Sequence, residues 1–340
     1  MPFYTPLRYP GGKRRLAPFV MRLLEANDLH DIEYVEPYAG GASLGLALLF
    51  EEYAATIHIN DLSRPVYAFW HSVLNDTDVL CRRIEKVPLT MKEWKRQRAV
   101  YEGREDADLL DLGVAAFFLN RTNRSGIING GVIGGQSQTG EWGIDARFNK
   151  AELIQRIRRV GRYRNRIRLY QQDALDFTND VVTTLAGRVF SFYDPPYIAK
   201  GQDLYLNTYT VEDHRRLAEG IVKLKHPWVV TYDYVAAVQH DLYPRQPRIA
   251  FELSYSAQER HGGREVMFLS ERLTLPPPWN TGDAISMSAA KSRYAVFGRM
   301  EGMNKRSSEA LKKVTSAIQE DAPPPSKKPA RKRTPPTAPA

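Results

Sequence analysis

Arg188-Val189-Phe190-Ser191-Phe192-Tyr193-Asp194-Pro195-Pro196-Tyr197 is a β-prone run that stops abruptly in a carboxylate, two prolines and an aromatic ring. Proline locks its own φ and restricts the residue before it, so the turn holds Asp194 and Tyr197 on a rigid, open edge. In an open α/β sheet such a turn lies at the carboxyl end of a strand, where ligands bind. Asp194 and a proline carbonyl accept N–H bonds while Tyr197 stacks on a face, which suits a planar, amino-bearing group such as a nucleobase. An Asp-Pro-Pro turn alone is also an ordinary tight strand exit, so the rest of the chain has to decide.

Upstream, Ile32-Glu33-Tyr34-Val35 reads as a short buried strand. It runs into Glu36-Pro37-Tyr38-Ala39-Gly40-Gly41-Ala42-Ser43 and then into the apolar, helix-prone Leu44 to Phe50. Strand, small-residue turn and helix let backbone approach a nucleotide-like ligand, because a β-carbon in the turn would block it. A second strand, Thr56-Ile57-His58-Ile59, ends in Asn60-Asp61. An acid about twenty residues after a glycine turn is placed to take ribose hydroxyls. Together these features favour an adenosine-containing cofactor.

These stretches carry a resemblance to a known family. The chain resembles the D12 class of DNA adenine-N6 methyltransferases, which includes the Dam enzymes. Leu7-Arg8-Tyr9-Pro10-Gly11-Gly12-Lys13 resembles its N-terminal aromatic-x-Gly-Gly-Lys loop. Val35 to Ser43 resembles its cofactor turn, Asn60-Asp61 its ribose-binding acid, and Asp194 to Tyr197 its catalytic tetrapeptide. Gln172-Asp173-Ala174-Leu175-Asp176-Phe177 is similar to the acidic turn that meets the cofactor's adenine. The likeness runs from about Thr5 to Glu271, and its strength lies in the combination and order of the blocks. It implies an α/β fold: a doubly wound, Rossmann-like methyltransferase sheet with an inserted, mainly helical target-recognition domain. The expected division is catalytic domain at 1–62, insertion at 63–150, catalytic domain again at 151–272, and a basic extension at 273–340.

The resemblance also implies roles. Tyr9, Lys13, Asp61 and Asp194 sit where the family contacts S-adenosylmethionine, Glu36, Tyr38 and Gly40 fall in the cofactor turn, and Asp173 accepts from the cofactor's adenine amino group. The catalytic set is Asp194, Pro195, Pro196 and Tyr197. One departure is visible: the usual Phe-x-Gly-x-Gly is here Tyr38-Ala39-Gly40-Gly41-Ala42, and the final alanine is comfortable only at a negative φ. Adenine N6 is a poor nucleophile, because its lone pair is delocalised into the ring. Hydrogen bonds to Asp194 and the Pro195 carbonyl would localise that pair for in-line attack on a sulfonium methyl, with positioning supplying much of the rate. A base inside a duplex must first be flipped out, with Tyr197 as its stacking partner. No metal is expected, since Cys81 and the scattered histidines have no ligand spacing.

Residues 63–150 interrupt the two halves of the cofactor site. Val79, Ile84 and Val87 alternate with charge, Met91 to Tyr101 reads as a polar, basic helix, and Asp111 to Leu119 reads as a buried one. Asn120-Arg121-Thr122-Asn123-Arg124-Ser125-Gly126 then leads into glycine-crowded Ile127 to Gly140, a loop or hairpin. The resemblance makes this the target-recognition region. Arg121, Asn123, Arg124, Arg147, Asn149 and Lys150 are the candidate DNA contacts, since such side chains can read base edges or meet phosphates. Ala151 to Arg162 is amphipathic, and from there through Arg168 its polar face carries seven arginines against Glu152. The one-sided sign argues for phosphate contact.

The remaining elements continue a doubly wound pattern. Thr210 caps a helix bearing Leu217, Ile221 and Val222, and Trp228 to Thr231 is a strand ending at Tyr232-Asp233. Ile249 to Tyr255 and Glu265 to Leu269 form an expected hairpin across His261-Gly262-Gly263. Residues 301–340 hold nine Lys/Arg against four acids, +5 of the chain's formal +9, in a Pro-, Ser- and Ala-rich stretch expected to be disordered. With no signal peptide or long apolar run, the reading is a monomer in the cytoplasm of a bacterial or phage-infected cell, with double-stranded DNA as partner and no membrane. A cognate restriction endonuclease is an admissible companion. Methylation of cytosine N4, RNA or a glutamine amide, or an inactive DNA-binding relative, stays open from sequence.

Overall fold

The structure, a computed structural model, describes residues 2–9, 11–197, 209–234, 238–254, 262–277 and 296–297. Residues 1–300 form one compact unit and 301–340 a second, and every described residue belongs to the first. The basic tail and His261 lie outside the described residues.

Among the described residues eight strands form one sheet: β1 (Ile32–Glu36), β2 (Ala54–Asn60), β3 (Ile167–Tyr170), β4 (Val189–Tyr193), β5 (Trp228–Asp233), β6 (Arg248–Ser254), β7 (Gly262–Leu269) and β8 (Val296–Phe297). Their order is β3-β2-β1-β4-β5-β7-β6-β8. The first five pair in parallel, and β7 runs antiparallel between β5 and β6. Gly262 and Gly263 belong to β7, opposite Ser254 and Leu253, and not to the hairpin connection assigned to them from sequence.

Nine helices are described: α1 (Ala17–Ala26), α2 (Ser43–Phe50), α3 (Arg64–Asn75), α4 (Thr77–Lys86), α5 (Met91–Glu102), α6 (Leu109–Thr122), α7 (Lys150–Arg162), α8 (Ala174–Asp180) and α9 (Val211–Val222). All five residues of β4 are buried, because both sheet faces are covered. Phe190 and Phe192 join the core under α1, α2 and α3, while Val189 and Tyr193 join the core under α8 and α9. Burying each such side chain contributes about 1.5–3 kcal/mol. Helix α2 is buried at every position, as its apolar sequence demands.

The interrupting helices do not build a core of their own. The rings of Phe69 on α3 and Phe117 on α6 stack at 5.5 Å, and both belong to the core that covers the sheet. At Gly113, α6 comes so close to α3 that a β-carbon would lie 2.7 Å from the Ala68 carbonyl oxygen and against the Ser72 hydroxyl. Beyond α6 the chain to Asn149 has no strand or long helix, only turns, a short 3-10 helix (Arg124–Gly126) and the bridge Asn123↔Val132. No helix among the described residues is long and apolar enough to cross a membrane.

Candidate active site

The strand order reverses between β1 and β4, and a crevice opens at their carboxyl ends, where an open α/β sheet binds ligands. Asn60, fully buried, ties the strand ends around it. Its side chain donates to the carbonyls of Pro37 and Gln172, and accepts from the Gln172 amide at 2.9 Å. The turns after β1, β2 and β3 are thereby fixed as one rim.

Gly40 sits at the centre of that rim. Its φ is +46°, its N–H donates to Asp61 Oδ2 at 2.8 Å, and its carbonyl accepts from Trp70 of α3 at 2.8 Å. The Tyr9 ring lies so close that a β-carbon at Gly40 would be 2.6 Å from it. Asp61 also accepts from the Ser63 amide at 2.9 Å. Burial pushes its carboxyl up to about 6, against the lowering pull of those two N–H groups. Ala42 adopts φ +46°, not the negative value at which alanine is comfortable, and caps the N-terminus of α2. A left-handed alanine costs about 1–2 kcal/mol, which the surrounding packing must offset.

The Asp194 carboxylate is held at both oxygens. Thr231 of β5 donates to Oδ1 at 2.7 Å, and the Lys13 ammonium meets Oδ2 at 2.8 Å. Lys13 is 4% exposed and also donates to the Tyr197 hydroxyl and the Gly11 carbonyl, each at 2.9 Å. Buried Glu265 of β7 lies 3.9 Å from the same ammonium. A buried ammonium is costly unless paired, so these acids are what let Lys13 stand at the turn. Glu36, at the end of β1, accepts from Gly45 at 3.2 Å and is pushed up to about 8, chiefly by burial and further by the Asp194 charge.

On the far wall, Asp173 caps α8 through the Leu175 amide and accepts from the Tyr209 hydroxyl at 3.2 Å. Tyr209 also meets the Tyr38 hydroxyl at 3.1 Å. The crevice is therefore lined by Tyr9, Lys13, Glu36, Tyr38, Gly40, Asp61, Asp194 and Pro196 from the sequence-predicted set, with Asp173 bonded to Tyr209 of its wall. Sequence reasoning missed Tyr209, Thr231, Trp70 and Tyr101 (which reaches the crevice from α5), because nothing local ties isolated aromatics or a strand threonine to a site.

The candidate DNA contacts separate into two groups. Asn123 is fully buried: it accepts from Trp94 at 2.7 Å and donates to the carbonyls of Ile127 and Ile128. With its amide so occupied it holds the loop, and no group is left for a base edge. Asn149 caps α7, and Lys150 donates to the Glu85 and Val87 carbonyls at the end of α4. Arg124 is exposed, while Arg121 and Arg147 stand side by side, with Arg121 donating to the Arg147 carbonyl at 2.8 Å. Asn120, next to them, clamps this region to the N-terminal loop through the Arg8 amide and carbonyl and the Gly126 carbonyl.

Sheet order and crevice are those of a Rossmann-like methyltransferase fold. The family model of the D12 class N6 adenine-specific DNA methyltransferases matches residues 9–257, and the chain belongs to that family. A curated relative, the Type II methyltransferase M.MjaIII of Methanocaldococcus jannaschii, is 22% identical over 238 residues, spanning 64% of this chain and 79% of that protein. Among solved structures, the rRNA methyltransferase aviRa of Streptomyces viridochromogenes is 12% identical, with a TM-score of 0.35 over 78% of this chain and 88% of that one. Protein LPL1258 of Legionella pneumophila is 11% identical, with a TM-score of 0.31 over 86% of this chain and 99% of that one.

Proposed function

We propose that this protein transfers a methyl group from S-adenosylmethionine to N6 of adenine at a specific sequence in double-stranded DNA, after flipping the base out of the helix. The observation that carries the reading is the Asp194 carboxylate, fixed by Thr231 and Lys13 beside Tyr197 at the mouth of the β1/β4 crevice. A carboxylate offers about four lone-pair sites. Two are engaged here, which leaves acceptors for an exocyclic amine, with the Pro195 carbonyl beside them.

The crevice also fits the methyl donor. Gly40 lets the Tyr9 ring close directly on the turn, and Asp61 and Asp173 place carboxylates at the ends of β2 and β3 for ribose hydroxyls and an adenine amino group. When bound, S-adenosylmethionine supplies an electrophilic methyl on a sulfonium. The chain's own work is to orient the amine through Asp194 and Pro195, stack the base on Tyr197, and keep water out of the crevice. Residues 63–150 form the target-recognition region in this reading, with Arg121, Arg124 and Arg147 as its DNA contacts. A monomer in the cytoplasm completes it.

The test is transfer of labelled methyl from S-adenosylmethionine to unmethylated duplex DNA, with nucleoside analysis and Asp194→Ala as control. N6-methyladenine that disappears in the variant is the expected result. Methylcytosine, or label only in RNA or protein, would overturn it.

A further inference from the structure

The arginine face of α7 takes no part in the site just described. Arg156, Arg158, Arg159, Arg162 and Arg164 line a groove of about 860 Å³ between residues 2–4 and the start of α4. Its two acids are Asp78 and Glu152, and Glu152 is already paired with Arg156. Among the described residues no carboxylate lies within ion-pairing distance of Arg158, Arg159, Arg162 or Arg164. Arg166 provides the contrast, since it bonds Glu52 and the carbonyls of Ala54 and Ala55 and so serves the fold.

Aromatic rings seat two of the groove's arginines, Arg156 and Arg159, and Arg14 beside it. The Phe3 ring, 59% exposed, lies 3.8 Å from the Arg14 guanidinium and 5.6 Å from that of Arg156. Arg159 stands 4.7 Å from the Tyr4 ring and 4.2 Å from Phe50. Guanidinium groups seated on rings keep their outward donors for a planar anion such as phosphate. The basic strip continues from Arg156 towards Arg8, Arg121 and Arg147. Burial, and then the charges of Arg8 and Arg156, push Arg121 down to about 9. Such crowding of cations is relieved when the counter-charge comes from outside.

We infer that this groove holds the phosphodiester backbone of the duplex flanking the methylated base, an inference that rests on the DNA-methylation reading above. Helix α7 spans about 20 Å, close to the run of roughly six phosphates along one strand. The charge of Arg156, which lines the groove, acts on Arg121, so the groove adjoins the arginines at the recognition loop. Contacts of this kind carry no sequence information, and they raise affinity and residence on long DNA.

The experiment compares wild type with R158Q/R162Q/R164Q, all exposed positions. Binding is followed across a salt series on a short duplex covering only a site found methylated, and on the same site with long flanks. On the long duplex the variant is expected to bind about tenfold more weakly at low salt, and its log K against log salt slope to fall by about 0.9 for each phosphate it no longer neutralises. On the short duplex the two proteins bind alike. Equal slope and affinity on the long duplex would overturn the groove assignment and leave DNA methylation standing. A wild type that binds S-adenosylmethionine but neither duplex overturns the methylation reading, and this inference with it. Loss of poly-glutamate binding in the variant, with binding to the long duplex unchanged, would assign the groove to an acidic protein instead.

Discussion

Thr231 shows how one hydroxyl governs a charged group. It is fully buried, and its acceptors are Asp194 Oδ1 at 2.7 Å and the Tyr193 carbonyl at 3.4 Å. A hydrogen bond to a charged acceptor contributes about 1.5–3 kcal/mol. Thr231→Val keeps the shape of the side chain, so it should lower the methyl-transfer rate roughly 10- to 100-fold at saturating cofactor and DNA. Thr231→Ser should retain most of it. A valine variant at the wild-type rate would show that Lys13 alone orients Asp194. Glu36 makes a second residue-scale case. The folded protein holds its proton up to about 8, while an ordinary glutamate releases it near 4.5. Between those values the unfolded chain binds fewer protons than the folded one, so the contribution of Glu36 to stability falls as pH rises through that window. Glu36→Gln removes the penalty. Its thermal midpoint relative to wild type should therefore climb from about pH 5 to about pH 8, and parallel midpoint curves would sink the idea.

At the scale of elements, the crevice depends on helices that touch no ligand. Helix α3 places Trp70 on the Gly40 carbonyl, and α3 is in turn set by α6 through the contact at Gly113. A β-carbon at Gly113 would meet the Ser72 hydroxyl and the Ala68 backbone. Gly113→Ala should lower stability by about 1–3 kcal/mol through overpacking. A urea midpoint unchanged from wild type, at equal slope, would contradict this. Most elements could be read from the sequence because period and punctuation agreed. The β-prone run of β4, the Thr210 capping box of α9 and the apolar stripe of α7 are local patterns, and the structure contains all three. Helix α3 was harder to see, because Arg64–Asn75 mixes aromatic and β-branched residues whose helicity comes from burial against α6. Strand β3 has four residues, one of them an arginine, too little to register alone.

Across the whole molecule, charge separates from architecture. Residues 301–340 carry +5 of the formal +9, so the first 300 residues are only mildly basic, and their DNA affinity has to come from a localised surface. Removing residues 301–340 should therefore weaken binding to non-target DNA and flatten its salt dependence, read by fluorescence anisotropy, while the site preference in methylation persists. Identical salt slopes with and without the tail would show that it meets no phosphate. The amino-acid sequence by itself determined the α/β class, the Asp-Pro-Pro-Tyr turn, the glycine turn and the acids that follow β2 and β3, because strand exits and tight turns are encoded by neighbours in the chain. Only the tertiary structure decided which groups converge. It put Lys13 and Thr231, from opposite ends of the fold's chain order, on the two oxygens of Asp194, and placed Tyr209 over Asp173. It also turned Asn123 inward while leaving Arg158, Arg162 and Arg164 open to solvent. Those outcomes follow from packing between distant segments, where burial and the satisfaction of polar groups are settled by partners that no local pattern names.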